Sequence, residues 1–237
     1  MTILKLCSGN GLSASFRELM PAFERAHSCK IDMHFEPAQI LLREIKAGLD
    51  VDLGLLGTGI MEQLSKEGIV VSETVRALTK NGIGVGVRKG AAKPDMSSVE
   101  AFKQALLNAR TVAYTTEGAS GIYFAGLIKK LGIEDAVKAK ARTQPGGLVA
   151  DLVVKGEAEI AVQQIPEILA VTGADYAGPI PDEIQQYSIN AGAVFAKSRE
   201  PVLARKLLDY LCSTEAAKVF RARGLEDRKS TRLNSSH

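Results

Sequence analysis

Three small residues, Ala119, Ser120 and Gly121, lie between a strand-like run from Thr111 to Thr115 and a helical pattern. Apolar residues recur after them at the i, i+3, i+4 and i+7 spacing of an amphipathic helix, at Phe124, Leu127, Ile128 and Leu131. Such small residues leave the backbone N–H groups of a helix N-terminus approachable, and the helix dipole favours an anion there. The stretch predicts a site for a small oxyanion. A turn-and-cap role for Gly and Ser is the structural alternative.

The same arrangement recurs elsewhere in the chain. Ser8 to Gly11 follows a buried strand, Ile3 to Cys7, and precedes a second helical stripe. The Gly146-Gly147 pair is predicted to start a further helix, and Gln164 lies where the next strand ends. None of these stretches is a nucleotide-binding P-loop, because no Gly-Lys-Ser/Thr follows the glycines.

Strands and helices alternate along the chain with short connections. After the second strand, Pro37-Ala38-Gln39 opens a short helix, and the third strand, Val51 to Leu56, leads into Gly57-Thr58-Gly59 and another helix. Ile133 to Ala141 is predicted to be helical. This alternation predicts an α/β fold with mainly parallel sheets, whose ligand loops follow the carboxyl ends of the strands.

Composition and charge exclude several classes of protein. The chain has 237 residues, of which 46% are hydrophobic and 24% charged, as in ordinary globular proteins. A net charge of +3 is too small for a nucleic-acid footprint. No apolar run approaches the roughly 18 residues of a membrane helix. We therefore expect no nucleic-acid partner and no membrane insertion.

Cysteines, histidines and carboxylates give no metal or redox motif. Cys7, Cys29 and Cys212 are far apart, so we expect all three to be small buried hydrophobic residues and expect neither a metal nor another cofactor. Glu36, Asp50 and Asp52 are explained about as well by a solvated loop and strand edge as by a metal site.

The two ends of the sequence differ from its globular part, and the first of them bears on localisation. The chain begins directly with a strand pattern and shows no apolar signal-peptide core, which favours a cytoplasmic protein if Met1 is the true start. The final stretch, Asp227 to His237, is polar and aperiodic, and we interpret it as a non-native tail. A natural flexible tail is the alternative.

The pattern divides the chain into two lobes. Residues 1–81 together with 190–226 are predicted to form the first lobe, and residues 82–189 the second, including two hinge strands. The hinge strands are expected near Gly82 to Val87 and near Tyr187 to Ala193. Ligand loops from both lobes would then face one cleft, and a ligand that contacts both lobes would favour the closed state.

The order of these motifs resembles the molybdate-type periplasmic solute-binding proteins of ABC importers. The resemblance extends from Ile3 to about Glu226, and its motifs are Leu4 to Leu12, Leu42 to Leu53, Ser120 to Tyr123, Leu131-Gly132 and Ala216 to Gly224. It implies a two-lobe fold of the type II periplasmic-binding class, in which each lobe is a mainly parallel sheet flanked by helices and two hinge strands join the lobes. It also implies a periplasmic location.

In that family, hydroxyl and backbone N–H groups from both lobes hold a tetrahedral oxyanion. The resemblance places the corresponding loops here at Ser8, Gly9, Asn10 and Gly11; at Pro37, Ala38 and Gln39; at Ala119, Ser120 and Gly121; at Gly146 and Gly147; and at Gln164. Glycine or Pro-Ala-Gln replaces the usual serines, and Gln164 replaces the pocket tyrosine. Ser8, Asn10, Gln39, Ser120 and Gln164 would form an alternative polar set for another small anion.

The resemblance implies a monomeric substrate-binding component of an ABC importer, with a small oxyanion as ligand and an ABC permease as partner, and not an enzyme. An intracellular small-anion sensor with the same fold is one alternative. An α/β enzyme acting on a small anionic substrate is another, although the sequence contains neither Gly-x-Ser-x-Gly nor His-Glu-x-x-His.

Overall fold

The computed structural model describes residues 1–227, so residues 228–237 of the predicted tail lie outside the described part. The chain divides into two compact units. The first combines Met1–Lys80 with the chain from Ser188 onward, and the second is Asn81–Tyr187. The polypeptide therefore passes between the units twice, at Lys80 and at Ser188.

The first unit alternates strands and helices before the crossing and adds a strand and two helices after the return. Its elements are β1 (Thr2–Ser8), α1 (Ser13–His27), β2 (Cys29–Phe35), α2 (Ala38–Lys46), β3 (Leu53–Gly57), α3 (Thr58–Lys66), β4 (Arg76–Asn81), β10 (Ser188–Val194), α9 (Pro201–Leu211), α10 (Thr214–Ala222) and β11 (Glu226–Asp227). A 3-10 turn, Asn10–Leu12, leads into α1, and β4 ends at Asn81, where the second unit begins.

The sheet of the first unit is mixed, with the order β11-β4-β10-β3-β1-β2. β1 pairs in parallel with β2 and β3, whereas β10 is antiparallel to β3. Alternate residues of β1 enter different cores because successive side chains of a strand point to opposite faces. Leu4 and Leu6 pack with residues of α1, α9 and α10, whereas Cys7 packs with residues of α2 and α3. Helices therefore cover both faces of this sheet.

The second unit is built in the same way. Its elements are β5 (Ile83–Arg88), α4 (Val99–Asn108), β6 (Val112–Thr115), α5 (Ala119–Lys130), α6 (Glu134–Lys138), β7 (Ala141–Gln144), α7 (Ala150–Lys155), β8 (Ile160–Gln164), α8 (Ile165–Leu169) and β9 (Ala174–Pro179). The sheet order is β7-β6-β8-β5-β9; β6 is parallel to β7 and β8, and β5 is antiparallel to β8 and β9.

Alternation along β6 again divides the core. Val112 and Tyr114 pack with α4, α5 and α6, while Ala113 packs with α7. Fully burying side chains of the size of Val, Leu or Phe contributes about 1.5–3 kcal/mol each. Because both faces are buried, the central strands read as nearly continuous apolar runs in the sequence.

The structure differs from the sequence-based prediction between residues 133 and 150. The predicted helix Ile133 to Ala141 is shorter, since α6 ends at Lys138 and the edge strand β7 follows. An edge strand is half-exposed, and the polar sequence of β7 carries no apolar alternation to reveal it. The predicted start of the next helix at Gly146-Gly147 was also wrong, because α7 begins at Ala150. Gly147 has a φ of +86°, in the left-handed region, and so lies in the preceding loop.

Two predictions about individual side chains also need correction. Asp52 is buried rather than solvated, with 4% of its surface exposed. Cys7 and Cys29 are buried as predicted, but Cys212 is exposed at the end of α9. Burial raises the pKa of the Cys7 thiol to about 12, which keeps that thiol protonated and unreactive.

Within residues 1–227, no helix is both long and apolar enough to cross a membrane. Over the same residues, no group of three or more His, Cys, Asp or Glu side chains is arranged to hold a metal ion.

Candidate functional site

The parallel strands of the first unit bring two predicted loops to one sheet edge. β1, β2 and β3 run in the same direction, so their carboxyl ends lie together. Ser8 to Gly11 follows β1 there, and Pro37 to Gln39 forms the N-cap and first residues of α2 after β2. Gly57 and Thr58 start α3 after β3 at the same edge.

The second unit brings its own predicted residues to the corresponding edge of its sheet. Ala119 to Gly121 forms the first turn of α5, directly after β6. Gly146 and Gly147 follow β7, and Gln164 ends β8. Since β6 lies between β7 and β8 in a parallel arrangement, all three groups lie at the carboxyl edge of this sheet. The predicted residues are thus brought together within each unit, as two separate groups.

Four helices begin at these edges without a side-chain cap. In the described part of the chain, no side-chain oxygen caps the N-termini of α1, α2, α3 and α5, and their first turns contain no acidic residue. By contrast, α4 and α10 are capped by Ser98 and Ser213 and carry Glu100 and Glu215 in their first turns. The edge helices therefore leave their first N–H groups without side-chain acceptors, which favours an external anion.

Glycines at the two edges have different roles. A Cβ added to Gly9, Gly57 or Gly59 would meet no atom of the described residues within 4 Å. A Cβ on Gly121 would lie 1.7 Å from the backbone oxygen of Thr115, and one on Gly118 would lie 2.4 Å from the Thr115 hydroxyl. In the second unit these glycines let α5 approach the end of β6. In the first unit they leave open space.

A buried hydroxyl without a partner ends a central strand in each unit. Ser8 Oγ at the end of β1 and Thr115 Oγ1 at the end of β6 are buried and accept or donate no hydrogen bond within the described residues. Buried polar groups in proteins are nearly always bonded, so each such group calls for an explanation. Both hydroxyls mark the edges where the uncapped helices begin.

Gln163 links the loop before α7 to the end of β8 by hydrogen bonds. Its amide Nε2 donates to the backbone oxygen of Gly147 at 2.7 Å, and its Oε1 accepts from the backbone N–H of Ala150 at 3.4 Å. The neighbouring Gln164 accepts at its Oε1 from Asn81 Nδ2 at 3.0 Å. The loop between β7 and α7 is thereby fixed to the end of β8.

Glu167 adds a carboxyl group to this edge. It lies in the first turn of α8, where the backbone N–H of Gln164 and the amide of Gln163 donate to its carboxylate. Burial is the dominant influence and raises the pKa of Glu167 to about 7, while the two donors oppose the rise. At neutral pH the protonated and ionised forms of this carboxyl are therefore both populated.

Sequence reasoning did not select Thr115, Gln163, Glu167 or Thr58 as site residues. Thr58 carried a usable signal, because Gly57-Thr58-Gly59 repeats the strand, glycine and helix order of the selected loops. Glu167 carried a weak one: Gln164-x-x-Glu167 has the spacing of a capping box but lacks the usual Ser or Thr.

Comparison with known proteins shows the fold class and the family of this chain. Over 94% of this chain, its fold matches the periplasmic molybdate-binding protein of Azotobacter vinelandii, with a TM-score of 0.75, 14% identity and coverage of 98% of that protein. It also matches the sulfate-binding protein SubI of Mycobacterium tuberculosis, with a TM-score of 0.76, 16% identity, and coverage of 98% of this chain and 88% of that one. The predicted two-lobe α/β fold of the periplasmic binding proteins is confirmed. The prediction that each sheet is mainly parallel was wrong, because β10 is antiparallel to β3 and β5 is antiparallel to β8 and β9, which makes both sheets mixed.

The model of the bacterial extracellular solute-binding protein family matches residues 4–226, and the chain belongs to that family. A curated relative, the aconitate isomerase of Pseudomonas sp, is 35% identical over 232 residues, which are 95% of this chain and 88% of the relative. The solved structures are thus those of binding proteins, whereas this relative carries the name of an enzyme.

Proposed function

We propose that this protein binds a small polycarboxylate of the aconitate class at the carboxyl edges described above. The observation that carries the proposal is the set of helix N-termini without side-chain caps, α1, α2, α3 and α5. Their backbone N–H groups can donate to carboxylate oxygens, and each hydrogen bond to a charged group contributes about 1.5–3 kcal/mol.

The choice of a carboxylate over molybdate has two supports. The first is the relative named aconitate isomerase, at 35% identity, against 14% for the molybdate-binding protein. The second is the replacement, implied by the resemblance, of the expected hydroxyl ligands by glycine within Ser8 to Gly11, by Pro37 to Gln39 and by Gln164. Glycine leaves space for a larger ligand, and amide groups donate to planar carboxylates as readily as to tetrahedral anions.

A ligand panel tests this proposal. The protein is mixed with cis-aconitate, trans-aconitate, citrate, succinate, molybdate, tungstate, sulfate and phosphate, and Tm is measured against ligand concentration. A true ligand at 100 times its Kd adds about 2.7 kcal/mol of stability, which for a chain of this length is a rise in Tm of roughly 5–10 °C. We expect this rise with aconitate. A response to molybdate and tungstate alone would contradict the carboxylate proposal.

Gly9 offers a direct test of the first unit's edge. Its φ of −63° and ψ of 152° suit any residue, and a Cβ there would meet no described atom within 4 Å. Gly9→Val is therefore expected to leave the Tm of the free protein unchanged and to weaken ligand binding about tenfold or more, roughly 1.4 kcal/mol. Calorimetric titration measures this change.

The matched control is Gly126→Val. Gly126 is exposed on α5, and a Cβ there is equally free of contacts, so this variant should bind as the unchanged protein does. Equal affinity of the Gly9 and Gly126 variants would remove the Ser8 to Gly11 loop from the site. That loops of both lobes bind the same ligand, with closure about a hinge, stays a prediction.

Isomerisation of the bound ligand is a second candidate function, favoured by the relative's name. In aconitate, moving a proton from the methylene carbon across the allyl unit shifts the double bond and can exchange the cis and trans forms. Proton NMR of aconitate incubated with the protein measures this exchange directly. Binding without exchange would support the sequence-based expectation that the protein is not an enzyme.

We infer the protein's partner and location from its family. Membership of the extracellular solute-binding family supports an ABC permease as partner and the periplasm as location. The intracellular sensor stays as the alternative, and the monomeric state stays a prediction. Fractionation of the native host with an antibody, followed by cross-linking to a permease, separates the importer from the sensor.

A further inference from the structure

Glu167 lies beside the predicted anion site of the second unit. β8, which precedes Glu167, is the sheet neighbour of β6, whose end carries Thr115 and the first turn of α5. Neighbouring strands are about 4.8 Å apart. A six-carbon tricarboxylate spans more than this distance, so a ligand with one carboxylate at the start of α5 is long enough to reach the end of β8.

The carboxyl group of Glu167 is held by groups that do not titrate. Gln163 donates to it while bonding Gly147 and Ala150, and the backbone N–H of Gln164 donates as well. The carboxyl group thus keeps one position relative to the edge. Glu167 as a whole is half-buried.

We propose that Glu167 is the catalytic acid–base of this edge, moving a proton between the two ends of the allyl unit of a bound unsaturated polycarboxylate. The inference rests on the proposed function, because it requires an aconitate-class ligand at the same edge. It adds a residue and a chemical step to that function.

The step balances without an oxidant or a second reactant. The ligand's methylene C–H bond breaks, its proton forms an O–H bond on Glu167, and the electron pair spreads over the allyl unit and the attached carboxylates. Glu167, whose carboxyl proton exchanges with solvent, then returns a proton to the other terminal carbon, so the double bond moves and Glu167 is ionised again. A carboxyl with a pKa of about 7 can accept and return a proton at neutral pH.

Glu167→Gln separates this role from a structural one. Glutamine keeps the size of the side chain and the acceptor that a capping box needs, so α8 should stay folded. The protein is incubated with cis-aconitate in D₂O, and proton NMR follows deuterium uptake at the methylene and formation of the trans isomer. We expect Glu167→Gln to bind cis-aconitate within about threefold of the unchanged protein and to lose at least about 100-fold in both rates.

Two further variants complete the test. Glu157→Gln changes an exposed carboxylate of the same unit that precedes β8 and therefore lies near the opposite edge of the sheet; its rates should be unchanged. Glu167→Asp keeps the acid with a shorter reach and should retain part of the activity, which supports the role even if the Gln variant folds poorly.

Three outcomes of these experiments distinguish failure of the Glu167 assignment, of the catalytic step and of the binding proposal. Normal deuterium uptake by Glu167→Gln would overturn the assignment of Glu167. An unchanged protein that binds cis-aconitate but neither exchanges nor isomerises it would overturn the catalytic step and leave the binding proposal standing. Failure to bind any polycarboxylate would overturn both.

Discussion

Gly121→Ala is expected to destabilise the second unit by about 3 kcal/mol or more, the upper part of the range for overpacked cores. An added Cβ would lie 1.7 Å from the backbone oxygen of Thr115 and 2.6 Å from its carbonyl carbon. Backbone atoms at the end of a central strand cannot rotate away as a side chain can. Either α5 must move off β6, or β6 must shift against β7 and β8.

Tyrosine fluorescence during urea unfolding measures this effect. The protein has five tyrosines and no tryptophan, and all its tyrosines except Tyr210 lie in the second unit. Gly126→Ala in the same helix is the matched control. A Cβ there meets no described atom within 4 Å, so alanine should stabilise the helix by about 0.5–1 kcal/mol. Equal stability of the two variants would contradict the proposed close approach of α5 to β6.

Asp52→Ala is expected to destabilise the first unit by about 3–5 kcal/mol, because it leaves several neutral donors without their acceptor and each buried unsatisfied group costs about 1–3 kcal/mol. One carboxylate oxygen accepts from the backbone N–H of Lys5 at 2.9 Å. The other accepts from Ser198 Oγ at 2.6 Å and from the backbone N–H groups of Arg199 and Glu200 at 3.0 and 3.4 Å. Alanine would leave all these donors without this acceptor.

Asp50→Ala is the matched control for Asp52→Ala. Asp50 forms an exposed ion pair with Lys5 Nζ at 2.8 Å, and exposed pairs contribute little because water and salt screen them. Its loss should leave the urea midpoint, followed by far-UV circular dichroism, nearly unchanged. Asp52→Asn keeps an acceptor for the Ser198 side and should lose less than Asp52→Ala. If Asp52→Ala were as stable as Asp50→Ala, the buried hydrogen bonds would not contribute as described.

Likeness in fold to sulfate- and molybdate-binding proteins at 14–16% identity speaks for architecture alone. The chemistry depends on which donors this chain places at its edges.

Local sequence determined the alternation of strands and helices and the loops that join them. Apolar periodicity and glycine act over a few residues, so the strand, glycine and helix order around Ser8 to Gly11 and Ala119 to Gly121 was predictable. The burial of β6 also followed, because parallel strands covered on both faces have nearly continuous apolar sequences. For β1 the predicted burial holds from Leu4 onward, whereas Ile3 is 56% exposed.

Tertiary structure alone decided which groups meet at each edge. Nothing local marks Thr115 as buried without a partner, or places Gln163 between Gly147 and Ala150. Those contacts depend on strand order and on the packing of α5 against β6, which join residues distant in sequence. The pKa of Glu167 is decided in the same way, because burial by neighbouring elements, rather than residue type, raises it.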